Sequence, residues 1–488
     1  MRAFVFAIAL TAGSLSAQEP SPASLSRLLA VHSAMVRVVS AHPDALWPGF
    51  RPETIPVLYI VPDQGILLVN WGAAALPEGF AAVPGVAGAG WQPAALRTAA
   101  STGTELAGRS AAQVFVFPDA DDAQLAGTTV HEAFHVFERA AQRDDRKFGS
   151  GENSFLVSSY PVFDARNEAG WALEGRLLGR ALAARTRMER RERAQEFVAA
   201  RERRHRSIGG DYAQFETLAE LNEGLAEYTL VRVLELAAHD AALPWRAEAG
   251  REVARHRVRL DSLTADVRQS LRLRFYVTGP AMGLLLDRLA GPAWRGDLVA
   301  RDLTLGEALA QASGYRDAER ALIGRAARAV DTAALDRTAR GAVQRLRAIR
   351  RAQVDSVLAR PGLVVLLKAD SLRGRGFGLC GIDPQNLLQV DTSVLLHTRW
   401  VKPCGSGLAA EFTTAAVQDR AAGTFTAVVG TEDSVRVTAG GAPVALADGT
   451  ATTVSEVKIE SPGLALAAPK AMLVRRGRVL EVVPLTGR

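Results

Sequence analysis

The residues of this chain best suited to chemistry stand together in Thr129-Val130-His131-Glu132-Ala133-Phe134-His135-Val136-Phe137. On a helix, His131 and His135 are one turn apart and project from the same face. Two imidazoles so placed can share one divalent ion, and Glu132 beside them can take up a proton. Zinc takes about four ligands in a tetrahedron, with bonds to nitrogen of about 2.0 Å, and a catalytic site leaves one position for water. The ion brings the pKa of that water down toward about 7, within reach of a carboxylate such as Glu132. Only eight histidines occur in the chain, so the pattern is uncommon by chance. The plainer alternative is a pair of ordinary histidines on a partly buried helix.

Positioning these side chains requires a helix with a sheet beneath it. Val130, Phe134, Phe137 and Ala141 recur at helical spacing as an apolar stripe, and Asp121 or Asp122 is suited to cap the helix start. The preceding Gln113-Val114-Phe115-Val116-Phe117 alternates and ends at Pro118, as a strand does. This strand is expected to border the cleft, with an edge able to pair with an extended peptide. Upstream, residues 25–39 have helical spacing, and 55–61 and 66–71 read as strands around the turn Pro62-Asp63-Gln64-Gly65. Residues 73–108, rich in Ala, Gly and Pro, carry no clear period. A polar stretch at 147–152 reads as a loop over the cleft. Helical patterns then run from 167 to about 238 with a break at Gly209-Gly210, and recur at 252–273, 279–289, 318–329 and 331–358.

At Arg360-Pro361-Gly362 the texture changes to short apolar alternations separated by turn residues, which predicts an all-β, sandwich-like domain over 361–488. It holds both cysteines of the chain, Cys380 and Cys404, and an isolated pair in an exported chain favours a disulfide. The fold class is therefore α+β.

The chain opens with Met1-Arg2, an apolar run to Ala12 and the small residues up to Ala17, which reads as an export leader over residues 1–17. The run is too short to span a bilayer and no later stretch is long enough, so the expected location is periplasmic or extracellular, with no transmembrane segment. The net charge of +6 invites a nucleic-acid partner, but no basic stripe with stacking aromatics and no nucleic-acid motif accompanies it. The arginines concentrate in 176–206 among interleaved glutamates, the pattern of a solvated helical face.

Two histidines do not complete a catalytic zinc site. The further acidic residues best placed lie in Glu220-Leu221-Asn222-Glu223-Gly224-Leu225-Ala226-Glu227-Tyr228. Here the sequence resembles the gluzincins, zincin metallopeptidases whose third zinc ligand is a glutamate on a second helix. His131-Glu132-x-x-His135 matches their first helix and Asn222-Glu223-Gly224 their second. The resemblance implies a zincin-like domain over residues 24–358, a small mixed sheet with a mainly helical remainder and a helical insertion at about 140–215. It implies His131, His135 and Glu223 as zinc ligands, Glu132 as the base, and Glu227 as the carboxylate that orients a ligand histidine. Tyr276, in Phe275-Tyr276-Val277-Thr278-Gly279-Pro280, resembles the tyrosine that stabilises the tetrahedral intermediate in aminopeptidase-like members. Glu223 stands much farther along the chain from His135 than in familiar members. Trp171-Ala172-Leu173-Glu174-Gly175 also resembles a form of the glutamate motif, which leaves Glu174, and behind it Glu220 or Glu168, as alternatives.

The expectation is a Zn²⁺-dependent metallopeptidase acting on a peptide or protein substrate. The alternatives are a zincin-fold binding protein without turnover and a zinc hydrolase of a non-peptide amide or ester.

Overall fold

The computed structural model describes residues 22–485 apart from 95, 97–99, 144, 264–270, 317, 370–376, 384–385 and 406. The export leader expected over 1–17 lies outside the described residues. Two compact units are present, one holding the described residues of 1–152, 170–266 and 272–332, the other those of 153–169, 267–271 and 333–488.

The first unit starts with helix α1 (Pro22–Ala41) and a six-stranded mixed sheet. Its strands are β1 (Val57–Val61), β2 (Gly65–Val69), β3 (Ala81–Ala82), β4 (Gly90–Pro93), β5 (Thr102–Leu106) and β6 (Arg109–Phe115), in the order β3-β4-β2-β1-β6-β5. Every residue of β1 is buried because both faces of the sheet are covered. Val57, Tyr59 and Val61 point into the main core, while Leu58 and Ile60 join Ile66, Leu68, Trp71 and Phe115 on the other face. The strand expected at the cleft border differs from expectation in one respect. β6 is interior, parallel to β1 on one side and antiparallel to β5 on the other, so β5 ends the sheet. Its Thr and Gly residues have too weak a period to mark it in the sequence.

Helix α2 (Asp122–Ala141) follows β6 and packs against it. Asp121 caps it: its side chain accepts from Gln124 N while the Gln124 side chain accepts from Asp121 N, satisfying two end groups at once. The expected stripe faces the core: Val130 and Phe134 are fully buried, and the partly buried Phe137 and Ala141 pack against the same cluster. After α3 (Ala165–Ala183), α4 (Arg187–Ile208) and α5 (Gly210–Ala219) comes one π-helical turn, Glu220–Gly224, leading directly into α6 (Leu225–His239). Gly209, at φ +94°, makes the break between α4 and α5 that its sequence announces. α7 (Arg246–Ser262), α8 (Phe275–Ala290), α9 (Trp294–Ala300), α10 (Leu305–Ser313) and α11 (Glu319–Ala329) complete this unit; residues 264–270 of the helix expected over 252–273 are outside the described ones.

The arginine-rich segment is only in part the solvated face its charge pattern suggests: Arg191, Arg203 and Arg206 are exposed, but two arginines turn inward. Arg201 and Arg204 of α4 are buried, as are Glu174, Glu216 and Glu220. Arg201 binds Glu220 through two nitrogens at 2.6 and 2.7 Å and Glu174 at 3.0 Å. Arg204 binds Glu216 at 2.6 and 2.7 Å and Glu174 at 2.5 Å. The partners come from the neighbouring elements α3, α5 and the π turn, 12 to 30 positions away, beyond the reach of charge spacing within α4.

In the second unit, helix α12 (Thr332–Leu358) shares a core with strand residues: Val357 packs with Val390, Leu396, Ala415 and Val417. That packing moves the boundary expected at 358–361 to the start of α12. Residues 153–169, expected within a helical insertion of the first domain, also belong here, and Gln389 Nε2 donates to Ser158 O at 2.7 Å.

Among the described residues thirteen strands, β7 (Leu363–Lys368) through β19 (Val479–Pro484), form one continuous sheet instead of two facing ones. The long β18 (Leu464–Arg476) explains this. Its first half pairs with β12 (Leu408–Phe412) and its second half with β19, while β17 (Ala451–Ser461) follows its other edge. The sheet curls over a core that includes Val365, Phe412, Phe425, Ile459, Leu473 and Val482, separate from the cluster that Leu396 and Val417 share with α12. Cys380 and Cys404 are disulfide-bonded across neighbouring strands, with Cα atoms 5.7 Å apart. Among the described residues no helix is long and apolar enough to cross a membrane.

Candidate metal centre

His131 and His135 project from α2 as their spacing requires, and Glu223 from the π turn meets them. The two Nε2 atoms are 3.1 Å apart, and Glu223 Oε2 is 3.4 Å from that of His131 and 3.6 Å from that of His135. A tetrahedral ion with bonds of about 2.0–2.1 Å sets its ligand atoms roughly 3.3–3.4 Å apart, so this triangle has the size of one tetrahedral face. Among the described residues this is the one group of three potential ligands that converges so closely.

The outer nitrogens of both rings meet carboxylates. His131 Nδ1 is 3.2 Å from Glu227 Oε2, and His135 Nδ1 is 3.4 Å from Glu138 Oε2. A carboxylate oxygen only accepts, so each Nδ1 carries its hydrogen, and each ring, when neutral, turns an Nε2 lone pair inward. Two lone pairs and a carboxylate oxygen then share one small space. That arrangement demands positive charge, which either protons or a divalent ion can supply.

The titration of these groups reflects the same demand. Burial alone would depress His131, but its bonds to Glu223 and Glu227 outweigh this and lift it to about 9. Burial likewise opposes charge on His135, yet Glu138 and Glu223 hold it well above the usual imidazole range. Glu223 is buried, which would raise its carboxyl, and the two imidazoles hold it well below the ordinary value. Glu132, buried on the same helix, is raised by desolvation against the pull of the histidines, and a raised carboxyl is suited to both taking and returning a proton.

Tyr276 reaches this cluster from the first turn of α8. Its hydroxyl donates to Glu223 Oε2, and its ring stacks on His131 with centroids 5.4 Å apart and planes 12° from parallel. Close backbone contact brings it there. A Cβ on Gly224 would lie 2.8 Å from Gly279 Cα, so the π turn and α8 approach as only paired glycines allow.

Glu227 serves two rings, since its Oε1 is 3.3 Å from His256 Nδ1 on α7. The other acids weighed as third ligand stand elsewhere: Glu174 is taken up by Arg201 and Arg204, and Glu220 by Arg201 and by Thr278 Oγ1 at 2.6 Å. Four residues of the centre were not anticipated from the sequence: Glu138, His256, Arg272 and Glu152. Glu138 was within reach of inspection, three positions after His135 on the same helical face. The other three come from segments whose proximity has no local signal.

No known protein family, curated protein or solved structure matches this chain. Its resemblance to the gluzincins rests on the motif residues alone.

Proposed function

We propose that this protein is an exported zinc-dependent hydrolase, a metallopeptidase of the gluzincin kind. The observation that carries the reading is the convergence of His131 Nε2, His135 Nε2 and Glu223 Oε2 within 3.1–3.6 Å of one another, with both outer nitrogens turned to carboxylates. A mixed sheet behind the histidine helix, with the glutamate on a second helical element, is consistent with a zincin-like domain.

His131, His135 and Glu223 would hold the ion. A bound divalent zinc supplies Lewis acidity, polarising a carbonyl and acidifying water. Glu227 and Glu138 keep the Nδ1 hydrogens in place and so fix which nitrogen of each ring faces inward. The Glu132 carboxylate takes a proton from attacking water and returns it to the departing amine, a task to which its raised pKa is suited. The Tyr276 hydroxyl, held beside Glu223, can turn to donate to the oxyanion that develops on the substrate carbonyl. The edge of β5 offers backbone groups to an extended peptide.

Metal analysis of the purified protein, paired with a peptide-library digest of wild type and Glu132→Gln, tests the reading. One equivalent of zinc in both proteins, with cleavage lost by about 100-fold or more in the variant, is expected. Zinc without cleavage of any peptide would favour the binding-protein alternative. Turnover confined to small amides or esters would move the substrate class, and absence of zinc would sink the proposal.

A further inference from the structure

Glu223 has two carboxylate oxygens with separate tasks. Oε2 faces the two imidazoles, while Oε1 accepts from Arg272 Nη2. The same Nη2 is 2.7 Å from Glu152 Oε1, and the other oxygen of Glu152 accepts from Asn222 Nδ2 at 2.7 Å. Asn222 immediately precedes Glu223, so the contacts close a ring: Glu223, Arg272, Glu152, Asn222 and back along the chain.

The ring is shielded, with side-chain exposures of 13% for Arg272, 3% for Glu152 and 8% for Glu223. In such surroundings a guanidinium shared between two carboxylates interacts far more strongly than at an exposed surface. Without it, the Glu223 carboxylate could rotate about its last bond, because Tyr276 and the imidazoles all meet one oxygen only.

We infer that Arg272, braced by Glu152 and Asn222, is a positioning residue that holds the Glu223 carboxylate with Oε2 toward the histidines and thereby sets the affinity for the metal. The inference rests on the zinc-centre reading and adds a determinant of the site's affinity. A single nitrogen, Nη2, meets both acids, so a lysine ammonium with its three donors can take over much of the task.

The test measures zinc affinity of the full chain by competition with a chromophoric chelator, for wild type, Arg272→Gln and Arg272→Lys. Arg272→Gln should bind zinc about 10–100-fold more weakly, as loss of an outer partner does elsewhere, and Arg272→Lys should recover most of the difference. Wild-type affinity in Arg272→Gln, or equal weakness in both variants, would overturn the inference. If Arg272→Gln does not fold, Asn222→Ala decides: severalfold weaker binding supports the brace and unchanged binding overturns it. A wild-type chain that takes up no zinc sinks the functional proposal itself, whereas zinc binding indifferent to Arg272 sinks this inference alone.

Discussion

Gly224 and Gly279 meet backbone to backbone: a Cβ on Gly279 would fall 2.2 Å from the Cα of Gly224. Neither residue belongs to the cluster of His131, His135 and Glu223, yet each sits a turn or less from a residue that belongs to it or bonds to it. Gly224 follows Glu223, and Gly279 lies three positions after Tyr276, so the contact fixes how near tyrosine and glutamate come.

Gly279→Ala should therefore damage folding and metal binding together. Forcing a methyl against backbone costs roughly 1–3 kcal/mol, and the separation of α8 from the π turn should weaken zinc retention as well. Gly250 on α7 is the control, because its added Cβ would meet nothing within 4 Å. Gly250→Ala should raise stability by about 0.4–1 kcal/mol and leave zinc untouched. Thermal unfolding with and without zinc distinguishes the two.

Glu223 and Glu174 occupy similar sequence motifs and should behave oppositely. Glu223→Ala is expected to weaken zinc binding by more than about 100-fold, since it removes one of the three proposed ligands. Glu174→Ala leaves Arg201 and Arg204 without a shared partner in the interior, so unfolding free energy should fall by about 3–5 kcal/mol while the folded fraction keeps its metal. Denaturant titration alongside metal analysis reads both. Loss of zinc from folded Glu174→Ala alone would reverse the ligand assignment.

The second unit should lose stability in mild acid. His397 is buried, its Nε2 hydrogen bonded to Gln418 Oε1 at 3.0 Å, and burial depresses its pKa to about 4 from an ordinary 6.5. The unfolded chain therefore binds the proton first, so this contribution is complete above about pH 6.5 and declines as pH falls toward 4. Its size is at most about 3 kcal/mol. His397→Gln should flatten that part of the stability profile. A wild-type profile already flat between pH 6.5 and 4 would contradict the expectation.

Reduction of Cys380–Cys404, which spans a sequence separation of 24, should cost about 3 kcal/mol through the freed loop entropy of the unfolded chain. The loss belongs to the second unit, so zinc content should not change when reductant is added. Metal analysis after reduction checks this against a denaturant curve.

Much of the centre was legible in the chain because it depends on local periods. The spacing of His131 and His135 and the cap at Asp121 are properties of one helix, which α2 carries as expected, and the strand before it is present as β6, begun four residues earlier and ended two earlier than the alternation over 113–117 marks. The change of texture after Arg360 likewise marked where strands replace helices. What the chain alone left open was which distant groups meet. Glu174 and Glu223 look alike as motifs, and the difference lies in Arg201 and Arg204, which fold onto one of them and not the other. Arg272 and Glu152 join the centre, and two glycines bring α8 to the π turn, through packing between elements remote in sequence. Periodicity is set within a few residues of backbone, whereas the pairing of buried charges is chosen only when separate elements close on one another and exclude water.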